Sequence, residues 1–329
     1  MANNSTQRYL ITSALPYANG PLHFGHLAGV YIPADIYARH RRLQGHEVKH
    51  ISGSDEHGVA IMVAAEKEGT PYREYVDRWH QSHKALFEKY GVDFDFFGRT
   101  SSEYHKEEVL KWFTTLYDRG FIGKKSEKQL YCIDDKRFLP DRYVEGTCYV
   151  CGYKNARGDE CPNCGEWIDT IRLINPVSKM SGSRNIEIRE VDQYYLLLTV
   201  LEKKFREWYA TKSGWRNLVT GFVNGLLEKG LVDRAITRDL EWGIDVPLPD
   251  TAGKKLYVWF DAPIGYVSNL KKHLELTGSK QDYLKDWWTA PGVEISHFIG
   301  KDNIIFHALI WPSMMLGTGF TNPPTELPA

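Results

Sequence analysis

The 329-residue chain carries 41 Lys+Arg against 42 Asp+Glu, a formal net charge of −1, with 42% hydrophobic and 25% charged residues. That length suits about two globular domains. The composition excludes disorder, collagen and long coiled coil, and the charge balance excludes a polybasic tail but not a local basic face.

Arg8 to Leu15 reads as a strand and Pro16 to Pro21 as a turn-rich loop. A helical pattern follows from about His26 to Gln44 and is closed by Gly45. Val48 to Ile51 is a second strand. Thr70 and Pro71 read as the N-cap and first position of a helix that puts Val76, Trp79, His83, Leu86, Phe87 and Tyr90 on one face and stops at Gly91. Thr100 and Glu103 suggest a capping box for a further helix ending at Gly120. Alternating strands and helices predict an α/β fold with a parallel sheet. From Phe121 to Asp169 the pattern changes to Gly, Asp and Cys with short β-like pieces. Helical patterns return at Leu197–Tyr209 and Trp215–Lys229, strands at Leu256–Phe260 and Val293–Ile299, and a last helix near Asn303. We read one α/β domain interrupted by a long insertion. No run reaches the about 18 apolar residues of a membrane span, since the best, Ile304 to Leu316, is broken by His307 and Pro312. Met1 to Gln7 has no apolar signal core, so a cytoplasmic protein with no membrane partner is expected.

Four of the five cysteines fall in two close pairs, Cys148-Tyr-Val-Cys151 and Cys161-Pro-Asn-Cys164, each followed by a glycine. Two intervening residues let one turn present both thiolates, and a glycine relieves the turn's backbone strain. The spacing predicts one Zn²⁺ in a compact knuckle. Four sulfur ligands leave no open position, which makes the ion structural. Cys132 stands alone and reads as a small buried hydrophobe.

The stretch Ala14 to His26 joins the first strand to the first helix, where an open α/β sheet places ligands. A helix N-terminus offers N–H groups to phosphate, and two histidines add donors. The alternative is two histidines that simply cap the helix. Neither a P-loop nor a dinucleotide glycine fingerprint occurs.

His23-Phe24-Gly25-His26 resembles the H-I-G-H motif of class I aminoacyl-tRNA synthetases, with Phe in second place. Ala14-Leu15-Pro16-Tyr17-Ala18-Asn19-Gly20 is similar to the methionyl-tRNA synthetase family in particular. The likeness continues in Gly53-Ser54-Asp55-Glu56-His57-Gly58, Phe138-Leu139-Pro140-Asp141-Arg142 and the cysteine pairs. It returns in Val258 to Tyr266 and His297 to Asp302. The resemblance implies a Rossmann-like sheet in two halves, 1–118 and 239–329. Between them would lie a connective insertion, 119–238, with the knuckle at about 140–172. It implies a methionine–tRNA ligase that makes methionyl-adenylate from L-methionine and ATP with Mg²⁺, then charges tRNA(Met). Asp55 would hold the ammonium group. Ala14, Leu15, Tyr17, Trp259, Ala262, Pro263, Tyr266 and His307 would hold the side chain, with Tyr or His donating to the thioether. ATP would lie over His23, Gly25, His26, Gly300 and Asp302, with His23 and His26 catalytic. Arg238 is either a further site charge or structural. Lys179-Met180-Ser181-Gly182-Ser183 imitates the family's K-M-S-K-S loop but lies in the insertion, so it reads as a decoy. The true loop and the anticodon-binding domain are expected beyond Ala329. Asn303 departs from the apolar residue of many relatives. Competing readings are a sister class I synthetase, a small nucleotidylyltransferase, a zinc-knuckle nucleic-acid module, and a form that binds methionine with little catalysis.

Overall fold

The computed structural model describes residues 6–140, 143–158, 161–165, 168–321 and 323–328. Asp141 and Arg142 of the fourth motif, and part of the knuckle segment, lie outside them. Strands β1 (Arg8–Ser13), β2 (Glu47–Ser54), β3 (Phe96–Arg99) and β13 (Val293–Phe298) form an all-parallel sheet in the order β13-β1-β2-β3. Both faces of such a sheet are covered, so β1, β2 and β13 are buried over most of their length. The polar residues they do carry are stitched across strands. Thr12 Oγ1 bonds His297 Nδ1, Ser13 Oγ bonds His50 Nε2 at 3.0 Å, and Ser52 Oγ donates to Ser13 O at 3.0 Å. The chain leaves β1 toward β2 on one side, while β13 returns on the other. The strand order therefore reverses beside β1, and the loops that follow β1 and β13 diverge to open a crevice at their carboxyl ends.

After β1 the chain enters α1 (Phe24–His26), a π turn over Leu27–Tyr31, and α2 (Ile32–Leu43). Between β2 and β3 run α3 (Val59–Glu68) and α4 (Tyr72–Tyr90), and α5 (Glu103–Asp118) follows β3. The next segment builds separate sheets. β4 (Ile122–Cys132) pairs with β9 (Ile186–Leu196) along its whole length, flanked by β5 (Arg137–Phe138) and β10 (Arg234–Ala235). β6 (Val144–Thr147), β7 (Ala156–Arg157) and β8 (Ile174–Ser178) form a small sheet around the cysteine pairs. Helices α6 (Leu198–Tyr209) and α7 (Asn217–Lys229) follow, then β11 (Thr237–Asp239) pairing with β12 (Lys254–Leu256). The chain rejoins the parallel sheet through α8 (Val258–Asp261), α9 (Ile264–Leu276) and β13, and α10 (Trp311–Thr318) closes the core with Trp311 stacked 4.9 Å from Trp112. No helix among the described residues is long and apolar enough to cross a membrane.

α9 packs on the sheet through Asn269, which donates to Ser52 O at 3.0 Å and accepts from the Tyr104 hydroxyl at 2.9 Å. A Cβ at Gly98 would stand 2.0 Å from the Asn269 amide, and one at Gly53 2.7 Å from it. The glycine that opens the Gly53–Gly58 motif is there so the helix can touch the strand backbone.

Several local expectations are corrected. Pro71, not Thr70, is the N-cap of α4, and Tyr90 at its end is exposed although Val76, His83 and Phe87 are buried. Ser102, not Thr100, is the N-cap of α5, without a side-chain capping bond: Ser102 Oγ donates to Arg99 O at 2.7 Å, and Thr100 Oγ1 accepts from the Glu56 amide at 2.8 Å. Val258–Phe260 is helical rather than strand. A short apolar run flanked by Pro263 fits either state, and tertiary packing decided it.

Candidate active site

A cavity of about 310 Å³ opens at the carboxyl ends of β1, β2 and β13. The loop after β1 brings Ala14, Leu15 and Tyr17, and the helix it leads into brings His26. The loop after β2 brings Asp55; α8 and the start of α9 bring Trp259, Ala262, Pro263 and Tyr266. The turn after β13 brings Gly300 and Asp302, and the following helical stretch brings His307 and its neighbour Asn303. His23 and Gly25 stand exposed at the start of α1 and do not line it. The residues that sequence reasoning missed include Tyr31, Gly58, Val59, Leu240, Tyr257 and Val258. Gly58 and Val258 sat inside quoted motifs; Tyr31 and Leu240 had no signal, because they reach the wall only through packing.

His23 and His26 do cap the helix. His23 Nδ1 accepts from Gly25 N at 3.0 Å, His26 Nδ1 accepts from His23 N at 3.2 Å, and the rings stack 3.8 Å apart. The two readings of this pair are therefore not exclusive. With Nδ1 accepting, a neutral ring carries its proton on Nε2 and offers that N–H outward. Burial, reinforced by His23 and His83, pushes the His26 imidazole below its ordinary range, which keeps it neutral at pH 7. A Cβ at Gly25 would meet the His23 ring at 2.9 Å, so a side chain there would unseat the cap.

Asp55 is buried and its Oδ1 finds no partner among the described residues. Burial first, and the nearby Asp261 second, raise its carboxyl well above the ordinary carboxylate range. A buried acceptor of this kind calls for a cationic donor. Trp259, Tyr17, Tyr257 and Tyr266 make the wall aromatic, and Trp259 is backed by Phe306, stacked on it at 4.1 Å and 10°. His307 Nδ1 faces Asn303 O at 3.1 Å, which can only accept. Nδ1 is therefore the donor, and Nε2 receives the Tyr266 hydroxyl proton at 2.8 Å. Burial lowers the His307 imidazole to about 4, so the ring is neutral. In this arrangement Tyr266 turns a lone pair, not its proton, away from His307. A donor bond to a thioether requires its hydroxyl to rotate.

Gly58, the N-cap of α3, has φ +104°, and a Cβ there would sit 2.5 Å from the Tyr17 hydroxyl. Gly58→Ala is expected to lower the melting temperature by several degrees, from about 1–3 kcal/mol of backbone strain plus displacement of Tyr17. A thermal melt indistinguishable from the parent would contradict this.

Arg238 lies 4.3 Å over the Tyr257 ring and donates to the carbonyls of Ala235 and Thr237, a structural position outside the cavity wall. Lys179 pairs with Glu145 at 2.7 Å and does not line the cavity either. The four sulfurs of Cys148, Cys151, Cys161 and Cys164 lie within 4.8 Å of one another, with closest approaches of 3.7 and 3.9 Å. A tetrahedron with bonds of about 2.3 Å has edges of about 3.8 Å, so the donor set fits a zinc ion. Gly152 and Gly165 close the two turns at φ +75° and +70°, as the spacing required. A backbone amide bond from Tyr153 and the Asn163 side chain lower the Cys151 thiol to about 6. Cys132 is buried and stands outside this cluster.

The family "tRNA synthetases class I (M)" matches residues 9–329. The chain belongs to this class I tRNA synthetase family. Its curated relatives include the methionine–tRNA ligases of Rubrobacter xylanophilus, 47% identical over 95% of this chain and 54% of the relative, and of Thermoplasma volcanium, 46% identical over 98% of this chain and 59% of the relative. The synthetase chain thus spans about half the length of the curated relatives it matches. The Mycobacterium tuberculosis methionyl-tRNA synthetase, solved in complex with methionyl-adenylate, shares the fold with a TM-score of 0.72 at 24% identity, over 98% of this chain and 56% of that one.

Proposed function

We propose that this chain carries the amino-acid-activating site of a methionine–tRNA ligase. It binds L-methionine and ATP, forms methionyl-adenylate, and serves the charging of tRNA(Met) in the cytoplasm. The observation that carries the reading is one cavity joining an orphaned buried carboxylate oxygen, an aromatic wall and, at its edge, a stacked histidine pair.

Asp55 takes the ammonium group. Ala14, Leu15, Tyr17, Trp259, Ala262, Pro263, Tyr266 and His307 enclose the thioether. Gly300 has φ −76°, and a Cβ there would meet only the Asn303 amide, at 3.8 Å. Nothing in the chain itself demands a glycine at this position; its bareness suits a ribose. Asp302 at the mouth takes the ribose hydroxyls. His23 and His26 direct Nε2–H donors at phosphate oxygens while Gly25 keeps the cap intact. The methionine carboxylate oxygen attacks the α-phosphorus and the bond to pyrophosphate breaks. The chain's own contribution is positioning and stabilisation of charge on the phosphoryl oxygens. Mg²⁺ bound with ATP would supply charge to offset the phosphates. Cys148, Cys151, Cys161 and Cys164 hold one structural Zn²⁺. Residues 1–118 and 239–329 are the two halves of the catalytic unit, and 119–238 is the connective insertion.

A non-hydrolysable methionyl-adenylate analogue tests the assignment. It should bind at least about 100-fold tighter than methionine, because one molecule engages both subsites. Affinity no better than that of methionine alone would separate the two subsites and sink the reading.

A further inference from the structure

Four buried titratable groups come from three elements: Asp55, on the cavity wall, and His57 after β2, Asp261 at the end of α8, and His105 in α5. His57 bridges the two acids. Its backbone amide bonds the Asp55 carboxylate, and its Nδ1 donates to Asp261 Oδ2 at 2.6 Å. His105 Nδ1 bonds Ser268 Oγ at 2.9 Å, and that hydroxyl donates onward to Gly265 O at 3.3 Å. Nδ1 therefore carries the proton and Nε2 is an acceptor. Asp55 Oδ1, Asp261 Oδ1 and His105 Nε2 are all buried without a partner among the described residues. The cluster is short of donors. Such a shortage is cured by protons or by a ligand that brings N–H groups.

Glu56, beside Asp55, is neutralised separately by Arg99 at 2.8 Å. Tyr17 pairs its backbone with that of Asp55, and the Tyr266 phenol faces Asp55 from α9. Among the described residues, no lysine or arginine lines the cavity. Two neighbouring carboxylates out of water resist ionising together.

We propose that His57 and Asp261 are positioning residues for Asp55, and that the cluster holds a proton in the free protein that departs to solvent when an ammonium group binds. This rests on the methionine reading of the site. Only an O–H bond breaks, and the buffer receives the proton. The incoming ammonium replaces the lost positive charge and gives its N–H groups to the orphaned oxygens. Below the cluster's raised titration point the ligand must displace the proton, so affinity falls as pH falls. Above that point the carboxylate is already bare and affinity is flat.

The test is calorimetric titration of the whole chain with L-methionine between about pH 8 and pH 5, in two buffers of different ionisation enthalpy. The expected result is a loss of affinity approaching tenfold per pH unit at the acid end, with release rising toward about one proton per methionine. Asp261→Asn, which keeps an acceptor for His57, should move the midpoint at least about one unit lower. A merely structural role would weaken binding equally at every pH. Methionine binding by the parent protein with no proton exchange and no pH dependence overturns the proposal and leaves the site reading intact. No methionine binding at any pH removes both. The parent measurement decides even if the variant does not fold.

Discussion

Asp55→Asn is expected to abolish measurable methionine binding while leaving the fold at least as stable as the parent. The side chain keeps its volume and one acceptor but loses the charge. Removing one partner of a buried charge pair costs about 3–5 kcal/mol, or about 10²–10⁴ in affinity. The fold itself gains from the change. Burial and Asp261 raise the Asp55 carboxyl, so the unfolded chain gives up this proton at lower pH than the fold does, and at neutral pH that difference costs stability in the free protein. That cost is absent below the ordinary carboxylate range and grows as pH rises toward the raised value. The melting temperature at neutral pH should therefore stay level or rise, which separates lost binding from lost structure. Affinity within about fivefold of the parent would move the ammonium group to another partner.

Cys161→Ser should remove the zinc ion and loosen the small sheet β6-β7-β8. Cys148 and Cys161 are buried in one hydrophobic cluster with Val144, Ala156, Leu139 and Tyr143, while Cys151 and Cys164 are exposed, so the cysteine site borders a local core. A structural zinc site in a small domain supplies about 10–16 kcal/mol in peptide systems. Here the surrounding chain shares that burden, and the loss should appear as a separate, lower transition in a thermal melt. Metal analysis should fall from about one zinc per chain to near none. Unchanged zinc content, or an unchanged melt with zinc gone, would contradict the structural role.

The first strand, its loop and its helix were legible because period, glycine and histidine all point the same way at the end of β1. The cysteine pairs were legible from spacing alone. Trp259 and Tyr266 could be placed at a site only through the family resemblance; as residues they read as core. The His57–Asp261–His105 cluster had no sequence signal, since the groups lie up to 204 residues apart and meet only when α8 and α5 pack under the β2 loop. Asn269 against Gly53 and Gly98 is similar: each glycine is explained by a residue far along the chain, on a helix that packs over the strands from the other half of the fold. The hydroxyl direction at Tyr266 is fixed by a backbone carbonyl, which no side-chain pattern encodes.

The central claim is that the cavity selects methionine. Calorimetric titration of this chain with L-methionine, L-leucine and L-isoleucine tests it most directly. The account predicts saturable methionine binding at one site, with leucine and isoleucine weaker by at least about tenfold, the discrimination available to a shaped apolar pocket. Leucine or isoleucine binding as tightly as methionine, or no methionine binding at all, would contradict it.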